Sequence, residues 1–293
     1  MLDVTRTSPT EVDRALQLRL TELNHWRFEP GLPGERRASW RDMADPLEEE
    51  VQFLERERTA IVSRAAEAPT DAKRFIEWFE SLKETGPGQG DPLFPWLENE
   101  ATLDEMKWFL TQEVAGEAGF EDLTALTQLK FPTRPKLELA RNYWDEMGRG
   151  NPKAMHGPLL GALADHLELT PLVETTVEES LALANTMAGL AANRQYAYHS
   201  IGALGVIEMT APGRSAATNA GLKRLGLNAK ARTYFSLHAI LDVKHSLAWN
   251  AEAIAPLVEA DPRTATAIAE GALMRLTCGL RCFERYRAHF GLH

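Results

Sequence analysis

The chain has 293 residues, 44% of them hydrophobic, and 42 Asp+Glu against 32 Lys+Arg give it a net charge of -10. That apolar content can fill one large core, and an acidic surface repels phosphate backbones, so nucleic acid is excluded as an expected partner. No run approaches the roughly 20 apolar residues of a membrane span, and the N-terminus lacks the basic-then-apolar pattern of a secretory signal; a cytoplasmic protein without a membrane partner is expected.

Nearly every segment carries helical periodicity and none shows the apolar-polar alternation of a half-buried strand, so the fold class is all-α. In residues 1–84 a charge-dense stretch places Leu47, Val51, Leu54 and Ile61 near one face of an amphipathic helix. Such a stripe needs a partner, and this N-terminal helical extension is expected to pack on the main domain or to form a homodimer interface. Residues 84–92 hold the densest Gly/Pro punctuation, which places the start of the main domain, 91–293, just after it. Helices are expected near 103–118, 120–130, 136–147, 153–168, 176–191, 193–211, 215–225, 229–255 and 262–288, with Ala211-Pro212-Gly213 ending the one that carries Glu208. Cys278 and Cys282 lie one helical turn apart, an awkward separation for a disulfide, and read as reduced packing residues.

The strongest chemical signal is His238-Ala-Ile-Leu-Asp242-Val-Lys-His245. At about 100° per residue the three polar side chains share one stripe of a helix whose neighbours are largely apolar. Burying two imidazoles and a carboxylate without partners costs several kcal/mol, and either a hydrogen-bond network or a metal ion resolves it. Glu208 is the sole acid between Glu179 and Asp242, in a segment of small and apolar residues. Gly202, Ala203 and Gly205 lower helix propensity there, a cost of about 1 kcal/mol per glycine that makes sense if the helix approaches a neighbour closely. Further acids are Glu113 and Glu117, one turn apart, then Glu138, Asp145 and Glu146, and His156 opens the following helix. Mixed oxygen and nitrogen donors without thiolates suit iron or manganese better than a structural zinc cage, and helical bundles build di-metal sites from such sets. Glu22 to His25 spells Glu-x-x-His literally but stands alone in the polar extension, and reads as a coincidence. Tyr196, Tyr198, His199 and Arg275 are candidates for the lining of a pocket for a small polar substrate.

With these motifs in hand, the sequence from about Asp91 onward resembles the heme-oxygenase-like diiron oxidases and oxygenases. The resemblance rests on the entry segment from Pro92 to Glu113, on Asn142-Tyr-Trp-Asp-Glu-Met-Gly148 leading to His156, on Glu208 and on His238-x-x-x-Asp242-x-x-His245. It implies a seven-helix bundle in which Glu208, His238, Asp242 and His245 are shared between two irons, Glu113 and Glu146 complete the carboxylates, and His156 serves the second iron. Members often carry Glu-x6-His in one early helix; here Glu113 plus seven is Phe120, and a longer glycine-containing stretch separates Glu146 from His156. The implied activity is dioxygen-dependent N-oxygenation of a small amine- or guanidine-type substrate in specialised biosynthesis. Its cofactors would be two Fe(II)/Fe(III) ions, with O2 as co-substrate and an external electron donor such as a reductase as a candidate partner. The alternatives are a diiron oxidase cleaving C–C bonds of an amino or fatty acid and, in a different class, a heme-binding or metal-free helical protein of the same fold.

Overall fold

The computed structural model describes residues 13–292 apart from 33, 35–38, 40 and 117–118. Helix starts follow the local chemistry: Asp13 and Asp71 accept hydrogen bonds from the backbone N–H of Leu16 and Arg74, capping α1 (Arg14–Phe28) and α3 (Ala72–Thr85). Thr102 and Glu105 cap α5 (Leu103–Ala115) reciprocally. The remaining helices are α2 (Ala44–Ala65), α4 (Leu93–Asn99), α6 (Phe120–Thr127), α7 (Thr133–Glu146), α8 (His156–His166), α9 (Glu178–Ala192), α10 (Ala197–Arg224), α11 (Thr233–Ala248), α12 (Ala255–Ala260) and α13 (Thr264–Phe290). No strand occurs among the described residues, and no described helix is long and apolar enough to cross a membrane. Glu117, weighed above as a candidate acid, lies outside the described residues.

Two apolar clusters organise the packing. In the first, Leu20, Leu54, Phe75 and Phe79 of α1–α3 join Ile201 of α10, Trp249 and Leu273 of α13. The N-terminal helices therefore share the main core, and Leu54 and Ile61 of the amphipathic stripe are buried while Leu47 stays 37% exposed. The second cluster gathers Leu93, Leu97, Met106, Phe109, Leu222, Phe283 and Tyr286. Between the two lies an internal cavity whose walls include Leu183 and Ile207 from the first side and Phe94, Phe109 and Phe283 from the second. Cys278 and Cys282 are buried and unbridged.

α10 is the central element, packed along both α11 and α13. Its crossing with α13 is so close that a Cβ on Gly202 would lie 1.9 Å from the Ile268 carbonyl oxygen, which accounts for the small residues ahead of Glu208. The expected stop at Pro212 is not observed: α10 runs through it to Arg224. Proline removes one N–H, the one that would bond the Glu208 carbonyl, and packing on both flanks outweighs that loss. The expected helix 229–255 is likewise divided, because Trp249–Ile254 forms a π-helical turn before α12. Trp249 is fully buried there and donates its indole N–H to the Ile201 carbonyl at 3.1 Å, pinning α10 to that turn.

Gly202→Ala should force apart α10 and α13. The expected cost is about 2–4 kcal/mol of unfolding free energy, read by chemical denaturation, whereas Gly213→Ala, which meets nothing within 4 Å, should be neutral or slightly stabilising.

Candidate metal centre

The site is built from four helices and one tight turn. Glu146 is the last residue of α7 and His156 the first of α8. The connection doubles back through Gly148 (φ 59°) and Arg149 (φ 53°), a left-handed geometry disfavoured for a side-chain-bearing residue. A Cβ on Gly148 would fall 2.5 Å from the Ala154 carbonyl carbon, and Arg149 is held by Asp145 at 2.6 Å. This turn brings His156 Nδ1 to 2.5 Å from a Glu146 oxygen, although ten positions separate the two residues.

Glu208 projects from α10, and His238, Asp242 and His245 project from α11 as the helical stripe predicted. Among the described residues two sets of donor atoms converge to within 4.8 Å of one another: Glu146, His156 and His238, and Glu146, Glu208 and His245. Glu146 belongs to both. The His156 and His238 rings meet edge to face at 4.6 Å. Asp242 lines the same cavity, is 3% exposed, and keeps one buried carboxylate oxygen without a hydrogen-bond partner.

The outer contacts orient these donors. His238 Nδ1 lies 2.8 Å from the Tyr234 carbonyl, which leaves Nε2 for the interior. His245 Nε2 lies 3.1 Å from Asp145, with Nδ1 turned to Glu208 at 3.4 Å. Asn142 donates to the other Glu208 oxygen at 2.5 Å. A carbonyl or carboxylate on the far nitrogen of each imidazole is how metal-binding histidines are held in one tautomer and ring orientation. The Nδ1 atoms of His156 and His245 are buried and close to carboxylates, yet neither is in hydrogen-bond geometry. His156 belongs to one donor set and His245 to the other, with Glu146 common to both.

The electrostatics are those of a cluster short of positive charge. Burial, then the nearby Glu208 carboxylate, raises Glu146 to about 9, and Asp242 is raised by the same causes in the same order. Burial, then the positive charge of His245, lowers His156 to about 4; burial, then His156, lowers His238 to about 4. For His245 burial acts downward, but the close Glu208 carboxylate, then Asp145 and Glu146, outweigh it and carry the imidazole up to about 9.

Sequence reasoning missed Glu121. It lines the cavity at the first turn of α6, and its carboxylate comes so near His156's neighbour Gly157 that an added Cβ there would stand 2.9 Å from it. In sequence an acid in a first turn reads as a complement to the helix dipole, and only the packing of α6 on α8's start reveals the other placement. Asp145, Asn142 and Arg214 were likewise not singled out for the roles they hold here. Glu113 lines the cavity but is brought into neither donor set; it accepts a hydrogen bond from the Tyr286 hydroxyl at 3.0 Å, and burial raises its pKa. Arg275 lines the cavity. Tyr198 and His199 do not: Tyr198 is 37% exposed against Phe131, and His199 pairs with Glu270 at 2.9 Å. They sit ten and nine residues before Glu208, about 15 Å along the axis, too far to share its pocket. Tyr196 hydrogen-bonds Glu55 at 2.7 Å, and His25 pairs with Glu29 on the surface.

Residues 107–280 match the family of iron-containing redox enzymes. The chain belongs to that family. No curated protein matches it in sequence. Among solved structures it is similar to a CADD-like protein of unknown function from Nostoc punctiforme, at a TM-score of 0.54 and 15% identity, over 83% of this chain and 98% of that one. The shared feature at that identity is the fold, all-α and heme-oxygenase-like. For an iron-containing redox enzyme the donor set is apt: carboxylates and imidazoles without thiolate, buried, with orphaned donor atoms on Asp242, His156 and His245.

Metal binding to this family member should release protons. Glu146 holds its proton well above its ordinary 4.5, up to about 9, and His245 is also protonated below about 9, so a divalent cation must displace them. Apparent affinity for ferrous or manganous ion should therefore rise with pH between about 5 and 9 and flatten above, by up to about ten-fold per unit for each proton displaced. Calorimetry in buffers of different ionisation enthalpy reads the released protons. His156 and His238, already neutral above about 4, should add nothing to that slope near neutrality.

Asp145→Asn should weaken metal binding by roughly ten- to a hundred-fold, because His245 loses its orienting carboxylate. Glu113→Gln should leave the bound iron unchanged. Elemental analysis of both variants after anaerobic loading checks this division between the two acids.

Proposed function

We propose that the protein is a non-heme diiron oxygenase that uses dioxygen to oxidise the nitrogen of a small amine- or guanidine-type substrate. The observation that carries the two-ion reading is the sharing of Glu146 between two donor sets, each completed by different histidines. A carboxylate common to both sets is suited to bridging a pair of ions. Glu121, Glu146, Glu208 and Asp242 supply four negative charges at this end of the cavity, which equal the charge of two ferrous ions.

Two ferrous ions held this way can together supply two electrons to dioxygen, which a redox-inert ion cannot. The chain's own residues do the rest. Asp145 and the Tyr234 carbonyl fix the imidazoles, Asn142 fixes Glu208, and the turn at Gly148 holds Glu146 beside His156. Phe109, Ile207, Phe235 and Phe283 form apolar walls that exclude bulk water from a cavity of about 190 Å³. With the metal charge balanced by the four acids, a nitrogen substrate approaches a nearly neutral centre and is not repelled.

The apolar walls also suit an aliphatic chain, which favours C–C cleavage of an amino or fatty acid as the second reading. Both readings share the first test. Anaerobic loading should give two irons per chain, reduced to about one by His238→Ala and lost altogether in Glu146→Ala. Rapid mixing with dioxygen should then give a transient visible absorption whose decay is accelerated by the right substrate. Label from dioxygen appearing on nitrogen supports N-oxygenation, and a shortened carbon skeleton supports cleavage. A preparation that binds no iron, or whose iron is indifferent to His238→Ala, overturns both.

A further inference from the structure

The cavity carries a second charged feature outside the donor sets. Arg214 of α10 and Arg275 of α13 both line it. Among the described residues neither guanidinium forms an ion pair. The hydrogen bond that Arg214 makes is from Nη2 to the Thr210 hydroxyl at 3.1 Å, with its guanidinium 5.6 Å from the centre of the Phe283 ring. Arg275 Nε is buried with no hydrogen-bond partner, and Nη1 is packed so near Gly279 that a Cβ there would lie 2.9 Å away. Arg281, by contrast, is engaged with Glu57, and Arg287 with Asp91 at 2.9 Å. Unpaired guanidiniums in an enclosed space are costly, and they feel each other: burial, then the charge of Arg275, lowers Arg214 to about 10.

The acids facing this pair are Glu113 and Asp242. Glu113 is already hydrogen-bonded by Tyr286 and is biased toward its neutral form by burial. Asp242 belongs with the metal donors. The two arginines are thus left with positive charge that no ion pair meets, on the wall of the same cavity that the metal donors line.

We infer that Arg214 and Arg275 form an anion subsite, and that the substrate carries a carboxylate held there while its other end reaches the pocket bounded by Glu146, Glu208 and His238. This deepens the oxygenase reading and rests on it for the identity of the reacting end. The fork of a guanidinium matches a carboxylate in a bidentate pair, and such charge-assisted bonds are roughly twice as strong as neutral ones. Partial compensation by Glu113 and Asp242 leaves a net charge that fits a monoanion better than a phosphate dianion. The apolar walls between the two ends fit an aliphatic spacer. The substrate class is therefore an amino acid whose distal nitrogen or chain carbon meets the metals, and a simple amine or guanidine lacking the carboxylate binds weakly.

The test uses the full chain, metal-free and iron-loaded, and a series of linear ω-amino acids of increasing length with their primary amides and phosphonate analogues. Calorimetry should find at least one carboxylate that binds ten-fold or more tightly than its amide, in both forms of the protein. Arg214→Gln and Arg275→Gln should each reduce that ratio, and the double variant should bring it close to one, while Arg275→Lys retains part of it. Removing a charge from a like-charged pair should leave thermal stability equal or higher, so loss of binding is separable from loss of fold. Parity of carboxylate and amide throughout the series overturns the subsite, as does a preference that survives in the double variant or a tighter grip on the phosphonates. Carboxylate preference without iron binding would uphold the subsite and remove the diiron reading; iron binding without the preference would do the reverse.

Discussion

The structure depends on one electrostatic constraint: several carboxylates are packed with three imidazoles in a space from which water is largely excluded. Glu146, Glu208 and Asp242 are each less than 5% exposed, and burial, then their mutual repulsion, raises the proton affinity of Glu146 and Asp242. Without multivalent cations such a cluster can be held only by keeping protons that ordinary carboxylates lose. His245, Glu208, His238 and the Glu146–His156 pair are not free to relax outward, because Asp145, Asn142, the Tyr234 carbonyl and the turn at Gly148 respectively fix them from behind. The fold thus imposes a destabilised arrangement that bound iron would relieve, and stability and cofactor binding are linked through the same atoms.

What holds that arrangement rigid is the seating of α10. Gly202 lets α10 press against α13, Trp249 ties it to the π-helical turn after α11, and Pro212 leaves the Glu208 carbonyl without its helical N–H. Each feature weakens helix propensity or regularity locally. Together they set Glu208 opposite α11 and, farther along the same helix, Arg214 opposite Arg275. A π-turn and a proline next to the donor residues fit the tendency of such irregularities to gather where a helix positions chemistry.

The cavity wall carries both signs of charge. The metal-donor acids and imidazoles line it together with the guanidiniums of Arg214 and Arg275 and with aromatic and aliphatic side chains. That polarity suits a molecule with unlike ends better than a symmetric or uniformly apolar one. It also explains the place of Glu113, whose carboxylate faces the two arginines and Tyr286 rather than joining the metal donors.

The sequence by itself determined the helical class, the burial of a polar stripe on α11 and the isolation of Glu208, because spacing at 3.6 residues per turn decides which side chains share a face. It also signalled close packing around Gly202, since glycines inside a helix need a compensating reason. Tertiary structure alone decided which early acids reach the cluster. Glu113, Glu121, Asp145 and Glu146 all sit on helices where acids are commonplace, and their sorting depends on a turn with positive φ and on how α6, α7 and α8 meet. Tyr198 and His199 lie away from this cavity for the same reason: pocket membership depends on axial distance along α10 and on the partner helix, and neither is written in local periodicity. The pairing of Arg214 with Arg275, sixty-one positions apart, is a property of the crossing of two helices and of nothing in either one.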